Sequence, residues 1–332
     1  MERKMEKNSM PVTEYAYDVS VVVLTYNGLM PKIQETLHSI LMQKDVRWQL
    51  IVADDGSREN HFEEISAFLT AEGITEYLLL SAEKNQGTVR NALQAARRAE
   101  GEYIKLISPG DSLHGSDCLS SWLKAVRSAG TSWSFSDAIY YREENGEKTA
   151  LQAVARPVMT KPYLRNQINK MRWAYAVVGD VAVGAAILCR TDCMRTYLER
   201  IEGKVIYAED YIYKLMMFDG VVGTYYPRQT VLYECASGIS SSSNDVWTDR
   251  LDHDLKAVRE IMIGEQRSKD PLQLHMVRAL KKTSQRRGWR GPFCRGELRF
   301  ILIKKFFPRR TKYVDLAEQG ADDMFHRAGE LS

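Results

Sequence analysis

The chain has 332 residues, with 44% hydrophobic and 27% charged side chains and a formal net charge of +3. These are ordinary globular proportions, so they exclude a disordered or fibrous chain and call for a sizeable buried core. Residues 1–7 lack the apolar stretch of a secretory signal, and the longest apolar run, residues 181–189, falls far short of the roughly 20 residues a spanning helix needs. The five cysteines, Cys118, Cys189, Cys193, Cys235 and Cys294, form an odd set without CxxC spacing. That argues against a disulfide framework or a zinc site and for a reduced, cytoplasmic setting.

Residues 1–17 read as an N-terminal extension. Residues 18–25 (DVSVVVLT) form an apolar, β-branched run that stops at Tyr26-Asn27-Gly28, a buried strand entering a turn. Pro31 opens a segment with Ile33, Leu37, Ile40 and Leu41 on one helical face. The alternation continues with a strand at 49–53, a helix at 61–71, a strand at 77–80, a helix at 88–99 and a strand at 103–107. Such alternation calls for right-handed crossovers and a parallel sheet covered on both faces. Ligands of that architecture bind beyond the carboxyl ends of the strands, here Tyr26-Asn27, Asp54-Asp55 and residues 108–111.

After Asp111 the rhythm changes to α+β, with a helix at 118–128, a strand at 131–141 and a turn near Gly146. A strand at 184–189, a helix at 193–200, a helix at 209–218 and a strand at 231–234 follow. The six histidines (His38, His61, His114, His253, His275, His326) show no ligand spacing and read as surface or boundary residues. Trp133, Trp173 and Tyr175 suit either core packing or a sugar-binding surface.

Asp54-Asp55-Gly56-Ser57 is the sharpest local feature. Two carboxylates at a strand end can accept hydrogen bonds from ribose hydroxyls or a base N–H, or can simply cap the next helix as an Asx-turn. Order and spacing add more. SVVVLTYNG (20–28), LIVADDGS (50–57) and KNQGTVRNALQAARRAEGEYIKLISPGD (84–111) resemble the nucleotide-binding half of family 2 glycosyltransferases. GAAILCR (184–190), AED (208–210) and LYECASGIS (232–240) are similar to that family's acceptor-side elements.

The resemblance implies a GT-A fold, a Rossmann-like and mainly parallel sheet with helices on both faces, over residues 18–245. Its nucleotide-binding half would be 18–111 and its acceptor half 112–245, with a helical, basic region at 246–332. It implies an inverting transfer of sugar from a nucleotide-sugar, UDP by family frequency, to a polysaccharide or lipid-linked acceptor. Thr25, Tyr26, Asn27 and Asp54 would surround the nucleoside, with Asp54 on the base, Asp55 and Arg90 nearby, and Gly110 and Asp111 at the diphosphate.

The family's acidic metal motif is reduced here to Ser108-Pro109-Gly110-Asp111. That leaves Asp111 as the expected ligand for Mn²⁺ or Mg²⁺, an ion that commonly keeps several waters. Asp210 is the expected general base, with Glu209 beside it at a helix start where the dipole favours ionised carboxylates. The eroded metal motif keeps a second reading open, a non-catalytic relative that binds nucleotide-sugar or carbohydrate. A nucleotidyltransferase is disfavoured because the glycine-rich phosphate loop expected near the N-terminus is absent.

Between Arg278 and Lys312 the only acid is Glu297, and residues 298–312 (LRFILIKKFFPRRTK) mix an apolar cluster with cations. Such a segment suits either an anionic membrane surface or packing on the catalytic domain. No nucleic-acid recognition motif accompanies the charge.

Overall fold

The computed structural model describes residues 15–144, 146–151, 157–235, 245–264 and 269–284. Its first half alternates strand and helix: β1 (Tyr17–Thr25), α1 (Met30–Leu41), β2 (Trp48–Asp54), α2 (Phe62–Ala71), β3 (Leu78–Ser81), α3 (Thr88–Arg98) and β4 (Gly101–Ile107). The four strands are parallel in the order β3-β2-β1-β4. Strand periodicity of two sorts their side chains between two cores. Val19, Val21 and Val23 pack with Ile33 and Leu37 of α1, while Val22 and Leu24 pack with Val89 and Leu93 of α3. A sheet buried on both faces explains why β1 is continuously apolar rather than alternating.

The second half adds β5 (Ser112–Leu113), α4 (Cys118–Ala129), and the hairpin of β6 (Trp133–Glu144) and β7 (Glu147–Ala150). Two short helices, α5 (Lys161–Leu164) and α6 (Ile168–Trp173), lead into a π-helical turn, Ala174–Val178. Then come β8 (Ile187–Arg190), α7 (Thr191–Ile201), α8 (Ile212–Asp219), β9 (Thr224–Glu234), α9 (Asp245–Gly264) and α10 (Pro271–Ser284). β8 runs antiparallel to both β4 and β6, and β9 is parallel to β6, so the parallel set of the first half is extended into one mixed, nine-stranded sheet.

Three elements differ from the sequence expectation, the strand expected over 231–234 being β9, which begins seven residues earlier at Thr224. The helix expected over 209–218 begins as a 3-10 turn, Glu209–Tyr211, before α8. The strand expected over 184–189 begins as another, Gly184–Ala186, with β8 starting only at Ile187. In both places the irregular turn stands at the site described below. Trp133 and Tyr175 are core residues, 0% and 1% exposed, so they line no sugar surface.

Val258 and Met262 of α9 and Met276, Val277 and Leu280 of α10 are buried in the same cluster as Leu93 of α3 and Leu215 of α8. Among the described residues no helix is long and apolar enough to cross a membrane. The segment 298–312 and the first 14 residues of the N-terminal extension lie outside the described residues.

Candidate active site

β1 and β2 end in register, Thr25 beside Asp54. Asp54 is 1% exposed and its oxygens are used internally. They accept Thr25 Oγ1 at 3.0 Å, Ser57 N at 2.8 Å and Ser57 Oγ at 2.5 Å. Ser57 Oγ in turn accepts Asn27 N at 2.7 Å, and Asn27 Oδ1 accepts Arg58 N at 3.1 Å. Asn27 sits at φ +48°, a left-handed position that asparagine tolerates. Thr25, Asn27, Asp54 and Ser57 therefore form a knot joining the two strand-end loops. Tyr26, beside it, is 52% exposed.

Asp55 points elsewhere. It accepts Gln86 N and Gly87 N, both at 2.8 Å, at the start of α3, where a carboxylate also complements the helix dipole. Burial nevertheless pushes its carboxyl above the usual range. Asp55 lines a cleft of about 270 Å³ with Gln86, Arg90, Asn91, Arg97 and Glu202. Arg90 is half exposed and only loosely paired, its Nε 3.7 Å from Glu202. Asp55, 4% exposed and with each oxygen accepting an amide, thus shares the cleft wall with the half-exposed Arg90, whereas Asp54 is internal to the knot of the strand-end loops.

The loop after β4 is held from several sides. Tyr141 Oη donates to Gly110 O, Thr36 Oγ1 donates to Asp111 O at 2.7 Å, and Asp111 Oδ1 accepts Glu234 N at 3.0 Å. Gly110 has φ +93°, and a Cβ placed there would collide with Glu234 Oε2. The Glu234 carboxylate from β9 consequently stands where a side chain at position 110 would begin. Lys32 Nζ lies 2.9 Å from its Oε1. Asp111 is buried, and desolvation pushes its carboxyl up to about 7 against the pull of the Glu234 amide and Lys105.

Glu209 and Asp210 occupy the 3-10 turn facing the Gly184–Ala186 turn, with Asp210 Cβ 3.4 Å from the point a Gly184 Cβ would take. The helix start was expected to favour their ionised forms. Burial outweighs it. Desolvation raises both carboxyls, helped at Glu209 by the neighbouring Asp210 charge and opposed at Asp210 by Lys214. Lys105, buried in β4, donates to Leu106 O at 2.8 Å and to Ala185 O, tying that turn to the strand that carries the Ser108 to Asp111 loop.

Sequence reasoning missed Glu234, although the lack of an acid at position 110 was a signal to look for one elsewhere. His61 is a boundary residue, as its lack of ligand spacing suggested, with its Nδ1 2.6 Å from Glu64 Oε1 and Glu59 close by.

Comparison with known proteins bears on the family and the fold. TuaG of Bacillus subtilis (strain 168), named as a teichuronic acid biosynthesis glycosyltransferase, is 30% identical over 94 residues, 28% of this chain and 36% of that relative. The chain thus spans little more than a third of that curated relative's length. Among solved structures, S. aureus TarS 1-349 in complex with UDP-GlcNAc aligns with a TM-score of 0.53 at 13% identity, covering 94% of this chain and 81% of that one. The Pyrobaculum calidifontis mannosyltransferase PcManGT, in complex with GDP-Man and Mn²⁺, aligns at 0.53 with 14% identity, covering 95% and 87%. These likenesses show the fold, a GT-A arrangement. The model of glycosyl transferase family 2 matches residues 20–194, just over half of the chain, and the protein belongs to that family.

Proposed function

We propose that this glycosyltransferase takes a UDP-sugar donor and transfers the sugar, with inversion, to a glycan or lipid-linked acceptor. The observation that carries the reading is the convergence, at one end of the sheet, of the Asp55 and Arg90 cleft, the Ser108 to Asp111 loop and the Asp210 turn. Asp55 accepts from the base or ribose, with Thr25, Tyr26 and Asn27 shaping the adjoining loop and Asp54 bracing it. Arg90 pairs with diphosphate oxygens through its planar fork. UDP is favoured because TarS, of the same fold, is known in complex with UDP and UDP-GlcNAc. A glycan acceptor is favoured by TuaG's name.

In the transfer, the acceptor oxygen attacks the anomeric carbon on the face opposite the diphosphate. Asp210 takes the hydroxyl proton, the C–O bond to the diphosphate breaks, and the nucleoside diphosphate leaves with the electron pair. Burial raises the proton affinity of Asp210, which suits a base. Asp111 and Glu234 offer hard carboxylate oxygens of the kind Mn²⁺ and Mg²⁺ prefer. They would hold such an ion, which when bound neutralises charge on the diphosphate. Residues 298–312 would bring the enzyme to an anionic membrane face where a lipid-linked acceptor resides.

Asp210→Asn tests the reading, since it keeps size and polarity but cannot accept the proton. Turnover should fall on the order of 10² to 10⁴ fold while donor affinity stays near wild type. Near-normal turnover would move the base elsewhere. A wild-type protein that binds UDP-sugar yet never transfers it would favour the binding-protein reading that the eroded motif keeps open.

A further inference from the structure

Asp254 lies in the middle of α9, remote in sequence from every motif of the site, and is 0% exposed. Its carboxylate accepts three successive backbone N–H groups: Ile206 at 3.0 Å, Tyr207 at 2.7 Å and Ala208 at 3.0 Å. A buried carboxylate is costly unless its lone pairs are engaged in this way. The three amides belong to the loop that enters the Glu209–Tyr211 turn. The opposite side of that loop rests on the start of α3, where Ile206 O accepts Val89 N at 3.0 Å. Gly87, at φ +93°, leaves no room there, because a Cβ would strike Ile206 O and Ile206 Cγ2. The loop is therefore fixed between the helix that carries Arg90 and the helix that carries Asp254.

We propose that Asp254 is a positioning residue for sugar transfer: by gripping the amides of Ile206, Tyr207 and Ala208 it sets where the Asp210 carboxylate stands relative to a donor bound at the start of α3. The inference rests on Asp210 being the base. Asp254 acts through the loop and through its charge. The groups facing Asp210 are Glu209 and Tyr211 in its own turn, Lys214 from α8, Tyr175 from the π-helical turn and Asp254 from α9. Of these, the Asp254 charge raises the Asp210 carboxyl and Lys214 lowers it. A base must be ionised, so activity is lost as pH falls through its pKa. Removing the Asp254 charge moves that loss to lower pH.

Asp254→Asn in the full chain is the test, because the amide keeps one acceptor oxygen and replaces the other with a donor that cannot receive an N–H. Product nucleotide release from a panel of UDP- and GDP-sugars identifies the donor used by the wild type. With it, kcat should fall roughly tenfold or more with donor KM held within about twofold. The acid limb of kcat should shift to lower pH, and carbon-13 titration of the Asp210 carboxyl should shift in parallel without needing any donor. In an Asp210→Asn background the same change should add little further loss. Wild-type kcat and an unmoved titration in Asp254→Asn, or a loss accounted for by the unfolded fraction, would overturn the proposal. If Asp254→Asn fails to fold, Asp254→Glu decides: retained charge on a displaced loop lowers kcat without moving the acid limb, whereas wild-type kcat defeats the inference. Failure of the underlying reading is distinct, seen as near-normal turnover in Asp210→Asn alone or as no turnover of any donor by the wild type.

Discussion

Asp54 and Asp55 are neighbours in sequence and opposite in use. Asp54 spends its oxygens on Thr25 and Ser57, while Asp55 caps Gln86 and Gly87 on the wall of the cleft. Asp54→Ala should therefore cost about 1 to 3 kcal/mol of stability in urea unfolding, the usual penalty for stranding buried donors. Asp55→Asn should lower UDP affinity, measured by calorimetry, more than Asp54→Ala does. The reverse order would return the base contact to Asp54. The sequence made the DDGS strand end legible because a strand followed by two carboxylates and a glycine is a local pattern. It did not distinguish the two acids, since both are buried and only the fold says which groups each carboxylate meets, Thr25 and Ser57 for one and the amides of Gln86 and Gly87 for the other. Glu234 was harder still. Its partners Lys32 and Gly110 lie 202 and 124 positions away, and nothing short of the folded sheet brings them together.

At the scale of elements, β1 to β4 and their helices were readable because each buries a continuous apolar run or stripe, a signal that survives without tertiary information. The turns that build the acceptor side were not. Gly184–Ala186 and Glu209–Tyr211 are 3-10 segments held from outside, the first by Lys105 in β4 through Ala185 O and the second by Asp254 in α9 through the loop that enters it. Gly87 joins the two halves. Its left-handed backbone and the close approach of Ile206 both exclude a side chain, so Gly87→Ala must displace the 206–208 loop, the start of α3, or both. The strain alone should cost on the order of 1 to 3 kcal/mol in urea unfolding. Hydrogen exchange should quicken at Val89 and at Ile206 to Ala208 together. Exchange that changes at α3 and leaves the loop protected would show that the two elements are not mechanically joined there.

At the scale of the whole molecule, α9 and α10 complete the core that lies beneath α3 and α8. Val258, Met262, Met276, Val277 and Leu280 are each at most 4% exposed. Burying such a side chain contributes roughly 1.5 to 3 kcal/mol, so the set rivals the entire 5 to 15 kcal/mol that typically separates a folded domain from its unfolded chain. Asp254 adds the grip on the site loop. A chain ending at Cys235 should thus lose cooperative thermal unfolding as well as turnover. A chain ending at Ser284 keeps both helices and should retain the wild-type melting temperature within a few degrees, together with UDP affinity. That second truncation removes residues 285–332, which carry Arg286, Arg287, Arg290 and Arg295 and then the segment at 298–312, with Phe300, Phe306 and Phe307 among Lys304, Lys305, Arg309, Arg310 and Lys312. Apolar side chains at the headgroup boundary and cations against anionic lipid act together, and the electrostatic part is screened over about 8 Å at physiological salt. The full chain should co-sediment with phosphatidylglycerol vesicles at low salt and be released by 1 M NaCl, and the chain ending at Ser284 should stay in the supernatant throughout. Co-sedimentation that persists in the truncated chain, or that is missing from the full chain at low salt, would assign the basic segment to packing on the protein rather than to the membrane.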